Sequence, residues 1–77
     1  MAYPFGNWSD PVAASHLSPH QLWMEFLTIG GDTRRVDFDD IIDGRRIATM
    51  TEHNVLAQVL NERLHDLGHN WPVPYQD

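Results

Sequence analysis

The chain of 77 residues has no cysteine, and this absence removes several kinds of chemistry. Neither a disulfide framework nor a thiolate-bound metal centre can form without thiols. The sequence also lacks a glycine-rich phosphate loop and a serine in a nucleophile elbow. A helical domain of this size is expected to have no deep pocket. The sequence therefore predicts a protein that is not an enzyme and that binds no metal and no cofactor.

Long apolar runs are absent too. No run approaches the ~18–20 residues that a membrane-spanning helix needs. The N-terminus also lacks the basic and then apolar order of a signal peptide. We therefore expect a cytoplasmic protein without membrane contact.

Lysine is absent as well, and positive charge is scarce. The five cations are all arginine, against 11 acidic residues, which gives a formal net charge of −6. Broad contact with a phosphate backbone needs a positive field, so nucleic acid is not expected as a partner. A core of this size leaves only roughly 3–5 kcal/mol of stability, so dimerisation would be a natural supplement.

The sequence does contain start and stop signals for helices, and the clearest start signal is at Ser18. Serine is a preferred N-cap, and Gln21 completes a capping box with it. Leu17 and Leu22 form a hydrophobic staple across the same start. A pair of glycines ends the apolar pattern, so we predict a first helix over residues 19–29.

A second, short helix is predicted over residues 38–43. Asp37 is the expected N-cap, and Val36 and Ile41 are the staple pair around it. Gly44 stands where a left-handed C-cap is expected.

A third and longest helix is predicted over residues 50–67, ended by Gly68. Its start has two alternatives. Thr49 offers a capping box with Glu52, whereas Thr51 offers a hydrophobic staple.

The remaining segments are rich in proline and aromatic residues. Residues 1–16 are predicted to form an extended N-terminal arm and residues 70–77 an extended C-terminal strap, on either side of a helical domain at 17–69. The predicted fold class is all-α, a compact three-helix bundle crossed by two extended arms. The aromatic side chains of the arms either pack on the helices or dock onto a partner. These aromatics are Tyr3, Phe5, Trp8, Trp71 and Tyr75.

Several segments of the chain resemble a group of short acidic helical proteins of actinobacteria that have no assigned activity. The resemblance is carried by Leu17–Phe26 with the following glycine pair, by Glu52–Ala57, by Leu60–Leu64 and by Val73–Tyr75. It implies a bacterial cytoplasmic origin and carries no site residue over to this chain.

Two groups of ionisable residues can be compared with known kinds of metal site. His65 and His69 are four apart and close to carboxylates, which is compatible with a zinc site or with surface histidines near a helix C-terminus. The aspartates at 37–43 do not match a calcium-binding loop, and first-turn acids that complement a helix dipole explain them.

Two arginine pairs flank the second predicted helix, Arg34-Arg35 and Arg45-Arg46. They form either a clamp for a carboxylate or phosphate, or a solvated collar of ion pairs with the aspartates between them.

Protein binding is the function that these observations favour. The sequence predicts a non-catalytic module that contacts either another protein or a second copy of itself. The alternative is a DNA-binding helix-turn-helix protein that reads the major groove with its third helix, although that helix presents neutral and acidic side chains. The candidate contact residues are Trp8, Arg45, Arg46, Trp71 and Tyr75.

Overall fold

The structure, a computed structural model, describes residues 7–70 and 72–76. Within these ranges the chain forms four helices and no strand. They are α1 (Ser9–Ser15), α2 (Pro19–Ile29), α3 (Arg35–Ile42) and α4 (Met50–Asp66). The all-α prediction is confirmed, but the three-helix bundle is wrong because the described part of the chain has a fourth helix at its start. Tyr3, Phe5 and Trp71 lie outside the described residues.

An extended arm is predicted over residues 1–16, and helix α1 corrects this prediction for the part of the arm that the structure describes. The side-chain oxygen Oδ1 of Asn7, just before the helix, accepts hydrogen bonds from Ser9 Oγ (2.6 Å) and from the backbone N–H of Asp10 (3.3 Å). Pro11 is the third helical residue, where an N–H would have no acceptor within the helix, so this proline begins a helix instead of breaking one. His16, with φ of 59°, ends α1 in the left-handed conformation.

Helix α2 has the bounds that its caps predict. Ser18 Oγ accepts from Gln21 N at 3.1 Å, and Ser18 N donates to Gln21 Oε1 at 3.0 Å, which completes the capping box. The Gly30-Gly31 pair ends the helix. A Cβ atom at Gly31 would overlap the Phe26 ring, so the second glycine lets the chain turn tightly over a core side chain.

Helix α3 begins earlier than predicted. Its N-cap is Arg34, without a side-chain cap bond, and the N–H of Phe38 donates to the Arg34 carbonyl at 2.9 Å. The prediction of Asp37 as N-cap is therefore wrong, and Asp37 lies in the first turn. Gly44, with φ of 81°, has the left-handed conformation expected after the helix.

Helix α4 is the centre of the fold. The capping box of Thr49 and Glu52 begins it, so the alternative start at Thr51 is wrong. Helices α1 and α2 both pack against α4, and α3 packs against α2, where the Phe26 and Phe38 rings lie 5.2 Å apart. The buried side chains of α4 are those of His53, Leu56, Ala57, Val59, Leu60 and Leu64. No helix in the described ranges is long and apolar enough to cross a membrane.

Candidate functional site

Three side chains of α4 hold the backbone of the C-terminal segment 72–76. Asn61 pairs with both backbone groups of Val73: its Nδ2 donates to the carbonyl at 3.0 Å and its Oδ1 accepts from the N–H at 2.6 Å. Asn54 makes the same double contact with Gln76, at 3.0 and 2.7 Å. Between them, His53 Nε2 donates to the Pro74 carbonyl at 2.7 Å.

The spacing of the two asparagines matches the spacing of the segment that they hold. Asn54 and Asn61 are seven residues apart, which is about 10.5 Å along an α-helix. Val73 and Gln76 are three residues apart, which is about 9–10 Å in an extended chain. The segment therefore runs antiparallel to α4, and the buried Val73 side chain joins the core. For the described residues 72–76 the strap interpretation is thus supported over that of a free docking ligand.

Trp8 is almost wholly buried. Its side chain is only 6% exposed, and its ring centroid lies 4.8 Å from that of His53. Trp8 therefore packs at the junction of α1, α4 and the strap. Of the aromatic candidates in the described ranges, Tyr75 is the one that stays open to solvent, at 55% exposure.

The face of α4 that a DNA-reading helix would use is occupied inside the molecule. Asn54, Asn61 and His53 hold the strap, and Ala57 is buried. These side chains are not available to the edges of bases. The order of the helices in the sequence therefore resembles a helix-turn-helix motif. The face of α4 that such a motif would expose for recognition is not exposed here.

The arginine pairs form the ion-pair collar, not an open clamp. Arg34 pairs with Asp37 at 3.2 Å, and Arg35 pairs with Asp39 at 2.9 Å. Arg45 contacts two carboxylates, Asp40 at 3.2 Å and Asp43 at 2.7 Å. Arg46 lies 3.4 Å from Glu52. The exposed pairs of Arg34, Arg35 and Arg45 contribute at most about 1 kcal/mol each, so they shape the charge of this surface more than they stabilise the fold.

An open cavity of about 650 Å³ lies beside this collar. Side chains from α1, from the end of α3 and from the α3–α4 loop line it, mostly apolar ones. They include Trp8, Val12, Ile41, Ile42, Ile47 and Ala48. Arg46, His53 and Gln76 add polar groups to the wall.

Ile47 stands at the rim of this cavity and is 92% exposed, the highest exposure among the large apolar side chains of residues 7–70 and 72–76. Met50, three residues further on, is also exposed. We call Ile47 and the adjoining cavity the Ile47 surface. Sequence reasoning missed it, because the apolar residues of a loop carry no periodicity that tells burial from exposure.

The nitrogen Nη1 of Arg46, in the wall of the same cavity, is buried and has no hydrogen-bond partner within the described part of the chain. A buried donor without an acceptor costs free energy. The charge of Arg46 is nevertheless paired, because its Nη2 lies 3.4 Å from the Glu52 carboxylate.

The histidines do not assemble a metal centre in the described ranges, where no group of three or more His, Asp or Glu side chains has suitable geometry. His65 is exposed near the end of α4, and His69 follows the helix. His20 lies on α2, where its Nδ1 is 2.9 Å from Arg35 Nη1.

Comparison with family models, curated proteins and solved structures gives no match.

Glu52 fixes the loop that carries Ile47. Its Oε2 accepts from Thr33 Oγ1 at 2.6 Å and its Oε1 from the N–H of Thr49 at 2.9 Å, while Arg46 lies close by. Burial by itself would raise the pKa of Glu52, but the hydrogen bonds from Thr33 and Thr49 and the Arg46 charge together hold it below its ordinary value of 4.5. The ionised carboxylate is thus the form that the fold prefers.

Replacing Glu52 by glutamine is expected to lower the free energy of unfolding at neutral pH, and the deficit should shrink in acid. Because the folded-state pKa is lowered, the carboxylate stabilises the fold fully above 4.5, and this contribution is lost as pH falls through the lower folded value. Urea unfolding of both proteins between neutral pH and about pH 3 measures the gap. Glu62→Gln, at an exposed position of the same helix, is the matched control. A difference in unfolding free energy that does not change with pH would contradict the lowered pKa of Glu52.

Proposed function

We propose that this chain is a small cytoplasmic bacterial module that has no catalytic activity and acts through protein–protein contacts of the Ile47 surface, either with a different protein or with a second copy of itself. The observation that carries the proposal is the exposed Ile47 side chain at the rim of an apolar cavity. The bacterial and cytoplasmic parts rest on the resemblance to the actinobacterial proteins and on the sequence composition.

A single exposed isoleucine is ordinary on a protein surface. Here it differs because it adjoins a concave wall that also exposes apolar area. Interfaces are commonly anchored by an apolar side chain that enters a pocket, and that arrangement excludes water from both. The Ile47 surface offers both a protruding group and a recess.

The surroundings of the Ile47 surface have the character of an interface rim. Arg45 and Asp43 are exposed beside it and already paired, so they can exchange partners without large desolvation. Of the residues suggested by the sequence, Arg46 lines this cavity, and Arg45 adjoins it through its ion pair with Asp43. Tyr75 precedes Gln76 of the cavity wall, whereas Trp8 supports the surface from below.

The DNA-binding alternative has less support. The formal net charge is −6, and the face of α4 that would read bases holds the strap instead. Retention on heparin at low salt that is lost as salt rises would favour this alternative.

A photoreactive amino acid at position 47 is expected to crosslink to one specific protein in living cells of the source organism. The same group at Leu67, an exposed apolar position near the opposite end of α4, is the matched control and should give no such adduct. Mass spectrometry identifies the adduct and distinguishes another protein from a second copy of the chain. Equal adducts at the two positions, or none at position 47, would overturn the proposal.

A further inference from the structure

We infer that the partner of the Ile47 surface is a second copy of this chain, with Ile47 of each copy seated in the cavity of the other about a two-fold axis. This inference rests on the proposed function and names its partner. It starts from the position of Ile47, which lines the rim of the cavity and yet projects almost wholly into solvent.

A two-fold contact uses the same patch of surface on both molecules, so a protruding group must adjoin a recess that can receive it. The Ile47 surface has this arrangement. The cavity of about 650 Å³ is large enough for an isoleucine side chain. Its apolar lining comes from Trp8, Val12, Ile41 and Ala48, among others. A symmetric pairing fills both cavities and covers both isoleucines in one step.

The distribution of charge favours this patch for self-association. Residues 34–46 contain four arginines and four aspartates, so the remainder of the chain carries the whole formal net charge of −6. Two copies repel each other over most of their surfaces, and repulsion is weakest where the local charge is balanced. Asp43, which lines the cavity, and Arg45, 2.7 Å from it, also form a pair of opposite charges that is complementary to itself under a two-fold rotation.

Sedimentation of the full chain over a range of concentrations tests the inference. We expect a reversible monomer–dimer equilibrium for the natural sequence. Ile47→Arg should weaken it at least about thirtyfold, the loss typical of an interface anchor, because a buried charge replaces an apolar group. Val36→Arg, at a position that is 58% exposed and outside the cavity, is the matched control and should dimerise like the natural chain. Circular dichroism should show both variants folded, since both side chains are exposed.

A natural chain that stays monomeric at every concentration would overturn the inference, as would an Ile47→Arg variant that dimerises like the natural chain. Crosslinking at position 47 distinguishes a failure of the dimer inference from a failure of the proposed function. An adduct with a different protein, together with a monomeric chain, leaves the proposed function standing and removes the second copy as its partner. A monomeric chain with no adduct removes both.

Discussion

Replacing Trp8 by alanine is expected to leave about half or more of the protein molecules unfolded at room temperature. Its side chain is 6% exposed and packs beside His53, so its loss opens a large void at the junction of α1, α4 and the strap. Removal of a buried tryptophan costs about 3–5 kcal/mol. A domain of this size has roughly that much stability in total.

Thermal unfolding followed by circular dichroism measures this effect. Tyr75→Ala is the control, because Tyr75 is an aromatic residue that is 55% exposed, and its loss should change stability little. If Trp8 were a docking residue on the surface, Trp8→Ala would instead keep its melting temperature. That result would contradict the burial of this side chain.

Replacing Asn61 by alanine should release the C-terminal strap and lower the free energy of unfolding by about 2–4 kcal/mol. The substitution removes both hydrogen bonds to the backbone of Val73, at 3.0 and 2.6 Å, and leaves partly buried backbone groups without their partners. Val73, a core residue, is then free to leave its place. Urea unfolding gives the loss, and hydrogen exchange of the Val73 amide reports the release directly.

Asn54→Ala is the matched control, since Asn54 makes the same double contact with Gln76 at an exposed position. Water replaces the lost bonds there, so we expect a cost below about 1 kcal/mol. Equal losses of unfolding free energy in the two variants would show that burial does not determine how much these asparagine–backbone hydrogen bonds stabilise the fold.

The parts of the fold that the sequence predicted well depend on neighbours in the chain. The capping box at Ser18 and the alternative at Thr49 both join residues three apart, and both form as expected. Gly44 likewise shows its positive φ where a helix ends. Such signals are complete within one turn of helix, so they can be read without knowledge of the tertiary fold.

The fourth helix was missed because its signals are weaker and conflict. Pro11 and the lack of periodicity favoured an extended arm, whereas Asn7 before the helix and proline in its first turn support α1. So short a helix is marginal by itself and depends on packing against α4. That contribution is not visible in the local sequence.

Of the Ile47 surface, the sequence predicted only residues at its edge. Arg45 and Arg46 were recognised as a pair of cations, but their carboxylate partners and the cavity beside them depend on how α1, α3 and the loop meet. Asn54 and Asn61 have the seven-residue spacing of one helix face, and this spacing is the one sign in the sequence of the side chains that hold the strap. Ile47 follows no pattern at all, and its exposure is set entirely by tertiary structure.

The contact at Ile47 is tested most directly by nuclear magnetic resonance on a mixture of isotope-labelled and unlabelled chains. Filtered spectra of that mixture retain only the nuclear Overhauser effects that pass between two molecules. We predict such effects from the Ile47 methyl groups of one copy to Val12 and Trp8 of another. Effects that occur only within one chain, or a cavity filled by a segment of the same chain, would contradict the assignment of a second copy as partner.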